Sequence, residues 1–180
     1  SLSVLNTAPV TYGESVTVQF VNPFDPSTAD SEAGFRYAFA MSAAELADVT
    51  YDSGSSTESA YDFIGLAAGN YTFYARIIDK DDSFTEYETE VYVNKRLLLG
   101  NVTAADKVYD GTTEATIISD PLEGKINADD VTYVGGTAVF DNENAGADKT
   151  VTATDLSLSG TDAGNYTVNT TATTTADITK

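Results

Sequence analysis

The sequence predicts an all-β protein built as two small β domains in tandem. Three observations carry this. Apolar and polar residues alternate with a period of two through most segments, as in 15–21 and 87–93, the spacing that turns one face of a strand inward and the other to water. Thr, Val and Tyr are plentiful, and such side chains suit a pleated, half-buried surface. Only 42–47 reads as helix, with Ser42 and Glu45 spaced as a capping box, and it spans one or two turns at most.

Taken in order, the first half predicts strands near 8–12, 15–21, 34–40, 48–52, 59–65, 70–79 and 84–93. Seven short strands with turn signals between them, in under a hundred residues, predict an immunoglobulin-like sandwich. Gly69-Asn70-Tyr71-Thr72 opens the sixth strand, where such folds place a corner tyrosine that ties the turn back. The second half predicts strands near 95–104, 114–119, 131–141, 149–158 and 165–178, with Gly135-Gly136 marking a bulge or a hairpin. Gly-Asn-Tyr-Thr recurs at 164–167, but the flanking residues do not match, so the halves are two modules and not a repeat. The boundary falls at Val93-Asn94-Lys95-Arg96, giving domains 1–94 and 95–180. No Pro/Gly/Ser-rich linker separates them, which predicts a short, stiff junction.

Composition narrows the function. Nine basic residues against 28 acidic ones give a net charge of −19, a surface that repels phosphate backbones and anionic lipids and attracts cations. Nucleic acid and membrane insertion are therefore not expected, and acidity also keeps an exported protein soluble. There is no cysteine and no histidine, which excludes a Ser/His/Asp triad, a cysteine nucleophile, an ordinary zinc site and any disulfide. The longest apolar stretch, around Arg96-Leu97-Leu98-Leu99, is only a few residues, far short of a membrane span. No signal peptide begins at Ser1, so the chain reads as an interior fragment whose export is encoded elsewhere.

Two blocks are more specific. Lys107-Val108-Tyr109-Asp110-Gly111-Thr112-Thr113 is followed by Leu156-Ser157-Leu158-Ser159-Gly160-Thr161-Asp162-Ala163-Gly164-Asn165-Tyr166-Thr167-Val168 and by Ala176-Asp177-Ile178-Thr179. Residues 101–179 thereby resemble the YDG domain, a unit that occurs in tandem in very large bacterial surface and secreted proteins. The resemblance implies building material rather than a catalyst, with a sandwich or a β-grasp-like fold. In the first half, Phe20-Val21-Asn22-Pro23-Phe24-Asp25-Pro26, Gly34-Phe35-Arg36-Tyr37 and Ala75-Arg76-Ile77-Ile78-Asp79-Lys80-Asp81-Asp82-Ser83 are similar to PKD-like modules, which are immunoglobulin-like. Asp82 and Ser83 replace the usual glycines of that pattern, and Met41-Ser42-Ala43-Ala44 stands where it has an Asp-rich stretch.

The sharpest chemical candidate is a calcium site. Calcium takes six to eight oxygens from carboxylates, carbonyls and Asn side chains. In the predicted sandwich the loop with Asn22, Asp25, Asp30 and Glu32 and the turn with Asp79, Asp81 and Asp82 lie at one end, with only Lys80 and Arg36 near in sequence to offset the charge. The other reading is that Asp25 and Asp30 cap turns while Asp79, Asp81 and Asp82 form a solvated hairpin tip. In the second half, Asp106, Asp110, Asp129, Asp130, Asp141, Asn142, Glu143 and Asn144 read as turn residues, and Tyr109 as a core or corner aromatic. No pair of carboxylates stands out for glycosidase chemistry. Tyr51, Tyr61, Tyr74, Tyr87 and Tyr92 could offer a sugar-stacking face, though tryptophan is absent. Lys107, Lys125 and Lys149 are the candidates for a Lys–Asn isopeptide link, without a motif to mark them.

These observations lead to one expectation: a non-catalytic spacer or stalk segment of a large exported bacterial surface or secreted protein, adhesin-like and calcium-stiffened. Its partners are then neighbouring domains of the same long chain. The alternative is a carbohydrate- or surface-binding accessory module that meets a glycan or cell-surface ligand at the cell exterior.

Overall fold

The computed structural model describes residues 2–4, 9–23, 32–126 and 128–180. Among these described residues run sixteen strands and two short 3-10 turns, at Ala43–Leu46 and Ala163–Asn165. The chain divides into two compact units, Ser1–Asn94 and Lys95–Lys180.

The first unit holds β1 (Leu2–Val4), β2 (Val16–Phe20), β3 (Arg36–Ala40), β4 (Ala60–Phe63), β5 (Gly69–Ile78) and β6 (Phe84–Val93). They form two antiparallel sheets, β1-β2-β4 and β3-β5-β6. This division of first, second and fourth strands from third, fifth and sixth is the immunoglobulin-like arrangement. The alternation read from sequence is what builds it. Val16, Val18 and Phe20 of β2 point inward, and with Val10, Phe63, Leu66, Phe73 and Val93 they supply most of the core. The opposite face of β3 and β5 is covered as well. There Ala38, Ala40 and Leu46 are buried beside Tyr74, and the nearly buried Arg76 donates to Leu46 O at 2.5 Å and to Glu86 Oε2 at 2.8 Å while lying over the Phe84 ring. The guanidinium is thus both paired and hydrogen-bonded, as burial of a charge requires.

Three expectations for this unit are corrected. Of the strand expected near 8–12, the described residues 9–12 form none: Pro9 has no N–H to give, and Gly13 turns the chain at φ 93°, so only Thr11 makes a bridge, in parallel with Asn94. Residues 48–52 form no strand either. Their donors go to a local turn and to a side chain, with Thr50 N on Ser53 O and Tyr51 N on Asp82 Oδ1 at 2.7 Å; the bridge to β3 forms later, between Ser56 and Tyr37. The helix at 42–47 is a 3-10 turn without a capping box, because the Ser42 side chain caps nothing and Glu45 accepts from Met41 N instead.

The second unit holds β7 (Arg96–Gly100), β8 (Thr103–Ala104), β9 (Lys107–Val108), β10 (Glu114–Ala115), β11 (Ile117–Ser119), β12 (Leu122–Glu123), β13 (Thr132–Phe140), β14 (Gly146–Ser159), β15 (Tyr166–Val168) and β16 (Ala172–Thr179). A five-stranded sheet, β10-β13-β14-β16-β9, faces the smaller sheets β12-β7-β15 and β11-β8. The core between them comprises Val102, Tyr133, Ala138, Phe140, Val151, Ala153, Leu156, Ala176 and Ile178. A β-grasp fold lays a helix across its sheet; among the described residues this unit has only the turn Ala163–Asn165, so sheet packs on sheet. Strands β9 and β12 escape sequence reading because two residues are too few to show a period. Gly135-Gly136 makes neither a bulge nor a hairpin. The pairing of β13 with β14 keeps one register from Thr132–Ser159 to Phe140–Val151, with the pair Gly136–Asp155 left out of the ladder, and Gly135, Gly136 and Asp155 stand at φ 79°, 89° and 58° there.

Candidate functional sites in the turns

At one end of the first unit, the β2–β3 loop and the β5–β6 turn border a cavity of about 390 Å³ lined by Asn22, Asp79, Ser83 and Thr85 together with Phe20, Phe35, Phe84 and Tyr87. Of the six predicted calcium ligands, the structure brings Asn22 and Asp79 to this cavity. Asp25 and Asp30 lie outside the described residues. Asp79 Oδ1 accepts from Asp81 N at 2.9 Å and Ser83 N at 3.0 Å, closing the turn on itself. Asp81 pairs with Lys80 at 2.6 Å, and Asp82, at φ 62°, reaches Tyr51 N. Each carboxylate of the turn thus has its own partner, and no group of three carboxylates placed to hold a metal ion is gathered among the described residues.

The second unit uses its acids in the same way, more fully. In Lys107-Val108-Tyr109-Asp110-Gly111-Thr112, Asp110 Oδ1 accepts from Thr112 N at 2.9 Å and Thr112 Oγ1 at 2.8 Å, an Asx turn that lets Gly111 cross to φ 75°. Lys107 Nζ closes the loop, donating to Asp110 Oδ1 at 2.9 Å and Thr112 O at 2.8 Å, and lies over the Phe140 ring. The motif is a clamped turn.

Its second block clamps another loop. Asp130 Oδ2 accepts from Thr161 N at 3.0 Å, Asp162 Oδ2 accepts from Asp130 N at 2.8 Å, and a Cβ on Gly160 would stand 2.1 Å from Asp130 O. Tyr166, buried, donates to Asp129 Oδ2 and accepts from Ile126 N. The same tetrapeptide in the first unit ties its turn back in a related way. Tyr71 Oη donates to Ala67 O at 3.0 Å, forming the expected corner.

Residues 93–176 match the family model of the YDG domain. The match takes in both clamped loops. No curated protein matches the chain. Among solved structures, the fibronectin(III)-like modules of CbhA from Clostridium thermocellum are similar at 15% identity and a TM-score of 0.32, over 99% of this chain and 94% of that one.

Charge on the YDG-matched turn is set by the clamp. The Lys107 hydrogen bond, followed by those from Thr112, holds the Asp110 carboxyl down at about 2. Because the folded value lies below that of the unfolded chain, the interaction is fully present above the ordinary carboxylate range and is lost as pH falls through about 2. A carboxyl-detected NMR titration should show Asp110 with a midpoint near 2, and Lys107→Ala should return it toward 3.8; an unchanged midpoint in that variant would mean the lysine does not hold the turn.

Lys149 bears on the isopeptide candidate. Its Nζ lies 2.7 Å from Asp141 Oδ1 and 2.7 Å from Asn142 Oδ1. The Lys149 hydrogen bond draws the Asp141 pKa down, and the contact is an ion pair that holds the turn. Asn142 Oδ1 also accepts from Asn144 N. This is a stapled hairpin turn.

Two expectations about aromatics are corrected. Tyr109 is 53% exposed and belongs to no core. Tyr51 lies off the strands, in the bend where its hydroxyl donates to Ala33 O. Among the described residues, the exposed aromatics of the first unit do not make one face: Tyr61 is on β4, Tyr87 and Phe84 alternate across β6, and Tyr92 stands near its far end. Sequence reading missed Arg76, Asn94, Gly100 and Asn169. Asn169 lies in an Asn-x-Thr sequon, and nothing in its neighbours marks it as the residue that ties β7 to Tyr133.

Proposed function

We propose that the chain is a non-catalytic spacer segment of a large exported bacterial surface or secreted protein, working outside the cell or on its surface and joined to further domains of the same polypeptide. One observation carries this reading: across the YDG match, the acidic and aromatic residues Asp110, Asp129, Asp130 and Tyr166 bind the protein's own turns instead of facing an open site. Residues spent on turn geometry serve shape and rigidity. The net charge of −19 supports the same reading, since like-charged stalks repel one another. No helix among the described residues is long and apolar enough to cross a membrane.

In the exported protein that carries these units, exchanging both for unrelated β domains of equal length should leave surface attachment intact. Attachment lost on exchange and regained only with the native pair would overturn the spacer reading. The carbohydrate- or surface-binding alternative draws on the cavity beside Phe84 and Tyr87; but Arg76 already covers the Phe84 ring at 4.0 Å. A glycan array probed with the chain decides it: binding abolished by Tyr87→Ala would favour the accessory module.

Calcium stiffening is a further part of the proposal, with Asn22, Asp25, Asp30, Asp79, Asp81 and Asp82 as ligands. Extracellular sites bind calcium with dissociation constants on the order of 10⁻⁴ to 10⁻³ M, so ~10 mM calcium should raise the melting midpoint by several degrees where magnesium does not. Asp25→Ala should abolish the rise. Identical melting in calcium and in EDTA would remove the ion and leave the spacer.

A further inference from the structure

We propose that each unit is built to resist tension along the chain, through a parallel clamp between a segment near its start and one near its end that one asparagine locks. The inference takes its biological meaning from the spacer reading. In the first unit Thr11 bridges Asn94 in parallel. Tyr12 N donates to Asn94 O at 2.8 Å, Asn94 N donates to Val10 O at 2.8 Å, and Asn94 Nδ2 adds a second bond to Val10 O at 3.1 Å. The last residue of the unit is thus fastened, by backbone and side chain, to a segment near its start.

The second unit repeats the device with different residues. Its first strand, β7, runs parallel to β15, pairing Arg96 with Tyr166, Leu97 with Thr167 and Leu98 with Val168. Where β15 ends, the Asn169 side chain continues the pairing: Gly100 N donates to its Oδ1 at 2.8 Å, and its Nδ2 donates to Gly100 O at 2.9 Å and to Thr171 O at 2.8 Å. Tyr133 Oη donates to Asn169 O at 2.7 Å and fixes it from the core. Leu156 N on Thr170 O carries the β14 ladder across the break into β16, so the chain leaves in the direction β15 runs. The exit is held by β9, again in parallel, with Ile178 opposite Lys107 and Thr179 opposite Val108.

Direction decides what such pairing does under load. Pulling the start of a unit backward and its end forward makes two parallel segments slide past each other, so all the bonds between them are loaded together. Antiparallel terminal strands with their ends on one side would open one bond at a time. One face of each clamp is also shielded from water, which would otherwise replace each bond as it stretches: Val10 and Val93 are buried beside the first, Leu98 and Tyr166 at the second, while Leu97 and Thr167 face solvent. Forced unfolding follows the unfolding rate, so bonds that must break before the barrier set the force.

Single-molecule force spectroscopy on the full chain, pulled from its two ends, tests this. Two high-force events are expected, one lost in Asn94→Ala and the other in Asn169→Ala. The chain has no cysteine, so Asn144→Cys supplies a second handle at the tip of the β13–β14 hairpin. Pulling between the amino-terminal end and that tip should open the second unit at clearly lower force. Val151→Ala, a core change on β14, provides a comparison that lowers thermal stability away from the clamp. The proposal is overturned if force falls in step with melting temperature in all three alanine variants, or if pulling direction makes no difference. The force is read on the chain alone and the domain exchange on the parent protein, so failure of the clamp and failure of the spacer reading are separable.

Discussion

Replacing Gly100 by alanine should destabilise the second unit by about 3 kcal/mol, at the top of the usual range for overpacking a core. Gly100 does not need a left-handed backbone; it needs the absence of a side chain. A Cβ there would stand 2.4, 2.5 and 2.8 Å from three atoms of the Tyr133 ring. The ring has nowhere to go, being 2% exposed with its hydroxyl donated to Asn169 O and accepting from Asn169 Nδ2. Either the ring moves and breaks those bonds, or β7 moves and loses its parallel pairing with β15. Urea unfolding followed in the second unit reads the loss. Gly164→Ala is the comparison, since a Cβ there meets nothing within 4 Å. Equal costs at the two positions would contradict the packing argument, and Tyr133→Leu should recover part of the stability lost in Gly100→Ala.

Phe73→Ala should cost the first unit about 3–5 kcal/mol, the range for removing a buried phenylalanine. Phe73 is fully buried on β5 and its ring lies 4.4 Å from that of Phe63 on the opposing sheet, so its removal opens a cavity across the sandwich. Marginal domain stability is of the same order, so the unit should be partly unfolded at room temperature, with amide protection lost across β2, β4 and β5. Tyr92→Ala, at a 54% exposed position on β6, should change stability by under about 1 kcal/mol. Protection that survives in Phe73→Ala would place the core elsewhere.

How far the sequence was legible varied with the length of the pattern. Long alternating runs such as β2, β5, β6 and β14 announce themselves, because side-chain period and burial coincide over many residues. Segments whose backbone donors go to side chains or to isolated bridges were misread. The segments 8–12 and 48–52 have strand-like composition, but Glu14 takes Thr11 N and Asp82 takes Tyr51 N. The turn acids of the second unit were legible as turn residues because Asp-Gly and Asn-rich stretches satisfy backbone locally. That Asp129 would meet Tyr166, or Asp130 meet Thr161, was not, since more than thirty residues intervene.

The sequence by itself determined an all-β chain, a turn at Asp110-Gly111, a corner tyrosine at Tyr71 and the exclusion of histidine and cysteine chemistry. These follow from local periodicity, local turn chemistry and composition. Only the tertiary structure decided which strands run parallel, that Asn94 and Asn169 fasten the ends of their units, and that Gly100 exists to admit a tyrosine ring. Such contacts join residues far apart in the chain, and no local pattern records a partner that folding alone brings near.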